Sequence, residues 1–130
     1  MKINQAVGYA IAALTVLATA DSRRPISCRA ICEQTSMPER FLLQVLRSLV
    51  TAGLVVSTRG VRGGYCLAKS PSQITLLHVM GAINGQPPSL KTDFKGLNAD
   101  SQRLLDDAFL GISEDSAKRL SSLKLSMLCK

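Results

Sequence analysis

The sequence has no tryptophan, a single histidine and only 4% aromatic residues, and these shortages exclude several kinds of site. The four cysteines form no Cys-x-x-Cys pair and no paired histidines accompany them, which argues against a structural zinc site. No catalytic triad, paired carboxylates or phosphate-binding glycine loop is recognisable, so an enzyme is the least favoured class of protein. No apolar run is long enough to cross a membrane.

Positive charge is concentrated in the first half of the chain. The 130 residues carry a formal net charge of +7, of which +6 falls in residues 1–70 and +1 in residues 71–130. This asymmetry indicates a polyanionic partner, either nucleic acid or an anionic membrane surface. The length suits one domain, or one small domain with an appended element, and the 46% hydrophobic content is enough for a core.

Residues 1–20 permit two interpretations. Lys2, the apolar stretch after it and the sequence Ala18-Thr19-Ala20 resemble a signal peptide with its cleavage site. The same apolar residues also repeat at helical spacing, and Asn4 can cap a helix that runs from about residue 4 to about residue 20. The segment alone leaves both interpretations open.

The next segments predict two helices separated by a turn. Ser27 is a suitable N-cap for a short helix over "CRAICEQT". Ser36 and Glu39 have the spacing of a capping box for a second helix, with Pro38 in its first turn and Gly53 at its end. The apolar face of this second helix consists of Phe41, Leu42, Val45, Leu46 and Leu49.

After Gly53 the apolar period becomes that of strands. "LVVSTR" and "YCLA" are predicted to form a hairpin around the turn "GVRGG", with Tyr65 and Leu67 inward and Cys66 outward. A short helix over "ITLLHVMGAI" follows, and His78 on it is expected to be a surface or hydrogen-bonded residue. The predicted organisation is therefore a helix-and-hairpin domain over residues 1–85, a linker over 86–99 and an amphipathic helix over 100–130.

Helix, turn, capped helix and hairpin describe a winged helix-turn-helix, a mainly α fold with one small β-hairpin. The polar face of the capped helix carries Arg40, Gln44 and Arg47, and these side chains suit base edges and phosphates in a major groove. A solvent-exposed face of an ordinary helix would look similar. The glycine-rich hairpin favours DNA, because Arg59 at such a tip can enter a narrow minor groove while Arg62 contacts phosphate.

The sequence also resembles a known family. "GYAIAALTVLA" and residues 26–85, above all "AGLVVSTRGVRGGYCLAKSP", resemble the Rrf2 family of bacterial transcription regulators, the IscR, NsrR and CymR type. The tail "DDAFLGISEDSAKRLSSLKLSML" resembles the long dimerisation helix of that family. The resemblance implies a cytoplasmic homodimer with reduced cysteines that binds a near-palindromic operator in double-stranded DNA, usually as a repressor. It also implies that residues 1–20 form the first helix and that no membrane is involved.

Two sets of site residues follow from this interpretation, with Gln44 as the base-reading residue and Arg59 as the wing arginine. The expected DNA-binding set is Lys2, Ser36, Pro38, Arg40, Gln44, Arg47, Arg59, Gly60, Arg62, Gly63 and Gly64. The expected dimerisation set is Leu105, Phe109, Ile112, Leu120, Leu123 and Met127.

The chain departs from the family pattern at its cysteines. Many members hold an iron–sulfur cluster with three cysteines in the loop before the long helix, but the corresponding loop "NGQPPSLKTDFKGLNAD" has none. We therefore expect no cluster there, no other cofactor and no metal site. Cys28 and Cys32 are expected to be buried or half-buried apolar residues. Cys66 and Cys129 are expected to be candidates for exposed thiols.

Two other functions compete with a DNA-binding regulator. A degenerate winged-helix module would regulate through a partner protein, but it would have no reason to keep the polar set on the capped helix and the wing. A small secreted four-cysteine protein would require cleavage after the first helix. A regulatory partner protein or a small effector is compatible with the DNA-binding interpretation.

Overall fold

The computed structural model describes residues 3–20, 24–85 and 94–129. Within these residues it contains six helices and one two-stranded antiparallel sheet, which confirms the predicted mainly α fold with a single hairpin. The elements are α1 (Gln5–Thr19), α2 (Cys28–Thr35), α3 (Glu39–Thr51), β1 (Val55–Thr58), β2 (Gly64–Leu67), α4 (Leu76–Asn84), α5 (Ala99–Ser122) and α6 (Leu125–Leu128).

Helix α1 forms the centre of the core, as its helical spacing predicts. The side chain of Asn4 accepts a hydrogen bond from the Val7 N–H at 3.1 Å and so caps the helix. Its buried face, which includes Val7, Leu14 and Leu17, packs against α3 and α4. None of the helices in the described part of the chain is long and apolar enough to cross a membrane.

Helix α3 buries most of the face that its sequence predicts. Leu42, Leu46 and Leu49 are fully buried and Val45 is nearly so. Phe41 was expected on this face, but the structure leaves it 53% exposed, because it lies at the edge of the helix beside the start of α1.

The predicted capping box of α3 does not form. Ser36 ends α2 instead: its backbone is left-handed, with φ of +56°, and its N–H bonds the Cys32 carbonyl at 2.8 Å. Pro38 is the N-cap of α3, and its carbonyl accepts from Leu42 at 3.1 Å without any side-chain cap. The segment 36–38 is therefore the tight turn of the helix-turn-helix rather than an extra turn of helix. Gly53 lies just beyond the end of α3 with φ of +78°, as predicted.

The long C-terminal helix, α5, is shorter than the sequence pattern predicts. Helix α5 ends at Ser122, and the next residues are extended and pair with the segment before α4. The Leu76 N–H bonds the Leu123 carbonyl and the Leu125 N–H bonds the Ile74 carbonyl, each at 2.8 Å. Leu125 then enters the core at the start of α6. These tertiary bonds and this burial outweigh the continued helical period, so the predicted helix to the chain end is wrong.

Candidate nucleic-acid interface

The outer face of α3 carries the three polar side chains that the sequence predicts for base and phosphate contacts. Arg40, Gln44 and Arg47 are all exposed, on the side opposite the buried leucines. Within the described residues, the side chains of these three form no hydrogen bond or ion pair. They therefore remain free to bind a ligand outside the domain.

The start of α1 lies beside this face. Gln44 and the half-exposed Phe41 line an open groove whose other wall includes Asn4 and Gln5. The first turn of α1 is thus next to the central residue of the polar face. Lys2 was also expected to bind DNA, but it lies outside the described residues.

The wing tip is a tight turn that exposes two side chains. The Gly63 N–H bonds the Gly60 carbonyl at 2.9 Å, which leaves Val61 and Arg62 at the exposed centre of a four-residue turn. Gly60 has φ of +115°, a conformation that favours glycine. Arg59 directly follows β1 and is exposed as well. The tip thus carries two arginines with a valine between them.

Two wing glycines have structural roles that the sequence alone does not reveal. A Cβ on Gly63 would overlap the Thr58 carbonyl oxygen and lie 2.8 Å from the Gly60 carbonyl oxygen. A Cβ on Gly64 would lie 2.5 Å from the backbone carbonyl of Ile26. Both glycines are therefore needed for close approach within the chain. Their expected contact with DNA stays a prediction.

A third segment joins the wing, and the sequence reasoning missed it. Ile26 forms a β-bridge with Tyr65, through N–H to carbonyl bonds of 3.0 Å and 2.8 Å. This bridge brings Arg24 and Pro25 to an open groove beside the wing tip, whose other wall includes Val61 and Arg62. The run of two arginines before a proline was the available signal, because proline favours extended backbone in the residue that precedes it.

The cysteines do not form a ligand set for iron in the described part of the chain. No group of three or more histidine, cysteine or acidic residues comes together there. Burial, and secondly the neighbouring Cys32, raises the pKa of Cys28 to about 11, which disfavours the thiolate that binds metals. Cys28 and Cys32 are half-buried against the core, as expected.

The other two thiols are less exposed than the sequence suggested. Cys66 is half-buried on β2 rather than fully outward. Cys129 is also half-buried, packs against the core and donates a hydrogen bond to the Leu125 carbonyl at 3.3 Å. Neither residue is therefore the freely exposed thiol that the sequence allowed.

The expected dimerisation set is divided by the end of α5. Leu105, Phe109 and Leu120 are half-buried on α5, and Ile112 on the same helix is 50% exposed. Leu123 follows the end of α5, and Met127 belongs to α6 and is 58% exposed. The set is thus not one continuous helical stripe.

Comparison with known proteins identifies the family. The family model described as "Rrf2: Iron-dependent Transcriptional regulator" matches residues 3–130. A putative HTH-type transcriptional regulator of Synechocystis is 40% identical over 83 residues, which cover 64% of this chain and 56% of that protein. YffB of Lactococcus lactis, with a similar description, is 30% identical over 92% of this chain and 70% of its own length. The chain thus spans little more than half of the first of these relatives.

Solved structures agree with this result. CymR, described as the global cysteine regulator of Bacillus subtilis, superposes with a TM-score of 0.78 at 27% identity, covering 98% of this chain and 95% of that one. IscR of T. potens superposes with a TM-score of 0.70 at 30% identity, covering 98% and 86%. The chain therefore belongs to the Rrf2 family of transcriptional regulators and has their winged helix-turn-helix fold.

Proposed function

We propose that this protein is a sequence-specific DNA-binding repressor that acts as a homodimer on a near-palindromic operator and senses without an iron–sulfur cluster. The observation that carries the proposal is the exposed face of α3, where the side chains of Arg40, Gln44 and Arg47 have no partner within the described residues. A degenerate interaction module would gain nothing from keeping these side chains free beside an arginine-bearing wing.

Helix α3 reads bases in the major groove. Glutamine can bond both the N6 and N7 atoms of adenine, and Gln44 is the central residue of the exposed face. Arg40 and Arg47 lie one turn to either side and take guanine or phosphate. The turn residues Ser36 and Pro38 place the first turn of α3 at the backbone, where the exposed Ser36 hydroxyl contacts a phosphate.

The wing extends the contact into the adjacent minor groove. Arg59 enters the groove, where the negative potential is strongest over A·T-rich DNA. Gly60, Gly63 and Gly64 give the wing its tight tip and let its backbone approach the DNA closely.

Helix α5 supplies the dimer interface. It has 24 residues and is therefore about 36 Å long, whereas its main packing partner α4 has nine residues and is about 14 Å long. Much of α5 therefore extends beyond α4, with Ile112 half-exposed along it. A second copy would cover this length and would bring two α3 helices to half-sites one or more DNA turns apart.

A pair of variants tests the dimer. Ile112→Glu should yield monomers in light scattering, because it places a charge in the proposed interface. Leu110→Glu is the matched control: Leu110 is 56% exposed and, two residues away, lies on nearly the opposite side of the helix. A dimeric Ile112→Glu protein would refute this interface.

The proposal as a whole is tested by selecting bound sequences from a pool of random DNA with the wild-type protein. We expect an inverted repeat whose half-site centres are about 10 base pairs, or a multiple of that, apart. Failure to enrich any sequence would refute sequence-specific binding, and enrichment of isolated half-sites would refute the dimeric mode.

A further inference from the structure

We propose that the groove between the wing tip and the segment before α2 binds one sugar–phosphate unit of the DNA backbone. Arg24 and Arg62 would hold the phosphate, and Val61 would pack on the deoxyribose. This inference rests on the proposed function and adds a binding site and two residues, Arg24 and Val61, that sequence reasoning did not select.

The groove combines charge with an apolar surface. It is open, with a volume of about 730 Å³, and its walls contain Arg24 and Arg62. Both arginines are exposed, and in the described residues neither forms an ion pair or a hydrogen bond. Between them the lining is mostly apolar and includes Pro25, Ile26 and Val61. A nucleotide of the backbone has the same combination, an apolar sugar face beside a charged phosphate.

Val61 is the least expected member of the groove. Its relative exposure is 107%, the highest among the large exposed apolar residues of the described chain, so it contributes nothing to the core. Turn positions are dominated by glycine, proline and short polar residues, which suit the turn conformation or bond its backbone. Proteins that bind the minor groove do place apolar side chains against DNA, although between base steps rather than on the backbone. Its neighbour Arg62 supplies the charge that attracts the backbone.

The two walls are held at a fixed distance before any ligand binds. The paired hydrogen bonds between Ile26 and Tyr65 connect β2 to the segment that carries Arg24. The absence of a side chain on Gly64 lets the backbone of β2 approach the backbone of Ile26 closely. A preorganised groove loses less conformational entropy on binding than a flexible loop would.

The test compares two variants with matched controls in DNA titrations at several salt concentrations. Val61→Ser is paired with Val56→Ser, since Val56 is 50% exposed on β1 but does not line the groove. Arg24→Ala is paired with Arg103→Ala, which removes the same charge from α5. Each protein is titrated against the operator chosen by random-pool selection and against a scrambled duplex, and thermal melting checks that the fold is retained.

We expect Val61→Ser to weaken DNA binding about fivefold, with no change in salt dependence. This loss of affinity corresponds to about half the free energy of fully burying a valine side chain. Arg24→Ala should weaken binding and reduce the slope of log affinity against log salt by about 0.9. Both losses should be equal on operator and scrambled DNA, because sugar and phosphate carry no base sequence. The two control variants should bind like the wild type.

If the wild type binds the operator and both Val61→Ser and Arg24→Ala bind DNA with wild-type affinity, this inference is overturned and the proposed function stands. A loss confined to the operator would also overturn it, because it would mean contact with a base. A wild-type protein that binds neither duplex would refute the proposed function, and this inference with it. Wild-type DNA binding by the variants together with loss of a protein partner would assign the groove to that partner instead.

Discussion

One added methyl group on Gly64 should separate the wing from the segment before α2. Its φ is +153°, and the Cβ of an alanine would lie 2.5 Å from the backbone carbonyl of Ile26 and 2.8 Å from the Ser27 nitrogen. Because the obstructing atoms belong to the backbone, no side-chain rotation can relieve the contact. The two segments must separate, and the hydrogen bonds between Ile26 and Tyr65 are then lost.

The cost of Gly64→Ala follows from these contacts. Two backbone hydrogen bonds contribute about 1–3 kcal/mol together, and the unfavourable backbone conformation adds about 1–2 kcal/mol. The free energy of unfolding should therefore fall by about 2–5 kcal/mol, a large share of the roughly 5–15 kcal/mol of a typical domain.

Urea unfolding followed by circular dichroism measures this change, with Gly8→Ala as the control. A Cβ on Gly8 in α1 would have nothing within 4 Å, so that variant should be stabilised by up to about 1 kcal/mol. A Gly64→Ala protein as stable as Gly8→Ala would refute the argument that the wing is packed against the segment before α2.

Three further predictions concern the C-terminus and the cysteines. Leu125→Ala should lower the free energy of unfolding by about 2–5 kcal/mol, because Leu125 is buried. Leu128→Ala is the control on the same helix and should change it little, because Leu128 is 45% exposed. Equal losses of the two variants in urea unfolding would contradict the packing of α6. The folded state raises the pKa of Cys28 from 9.0 to about 11 and so keeps its proton to higher pH than the unfolded chain does. Stability should therefore fall as pH rises from about 9 to about 11, and Cys28→Ser should remove this part of the pH dependence, which paired denaturation curves measure. Anaerobic reconstitution with iron and sulfide should yield a colourless protein without stoichiometric iron, and a visible absorption band with bound iron would contradict the proposed absence of a cluster.

Local sequence signals predicted the elements whose stability is mainly local. Asn4 and Ser27 cap α1 and α2 through their side chains, as the sequence indicates, and Gly53 ends α3. The change from helical to alternating apolar period after Gly53 located the hairpin correctly. The polar face of α3 was predictable for the same reason, because its spacing fixes which residues lie opposite the buried leucines.

The sequence predictions were wrong where tertiary contacts determine the local structure. Ser36 has the spacing of a capping box, but the chain turns tightly between α2 and α3, and Ser36 adopts the left-handed conformation that ends α2 instead. The helical period continues past Ser122, yet burying Leu125 in the core stabilises the fold more than continuing the helix would. The bridge between Ile26 and Tyr65 joins residues far apart in sequence. The two arginines before Pro25 could indicate an extended, charged segment, but not that it forms a groove with the wing.

In the proposed function, α3 reads the operator sequence through Gln44. The most direct measurement compares the wild type with Gln44→Ala on the selected operator and on a scrambled duplex, with Gln102→Ala on α5 as a control. We predict that Gln44→Ala loses about 1–3 kcal/mol of binding free energy on the operator and almost none on the scrambled duplex, while the control binds both like the wild type. Equal losses by Gln44→Ala on the two duplexes would contradict base reading by this helix.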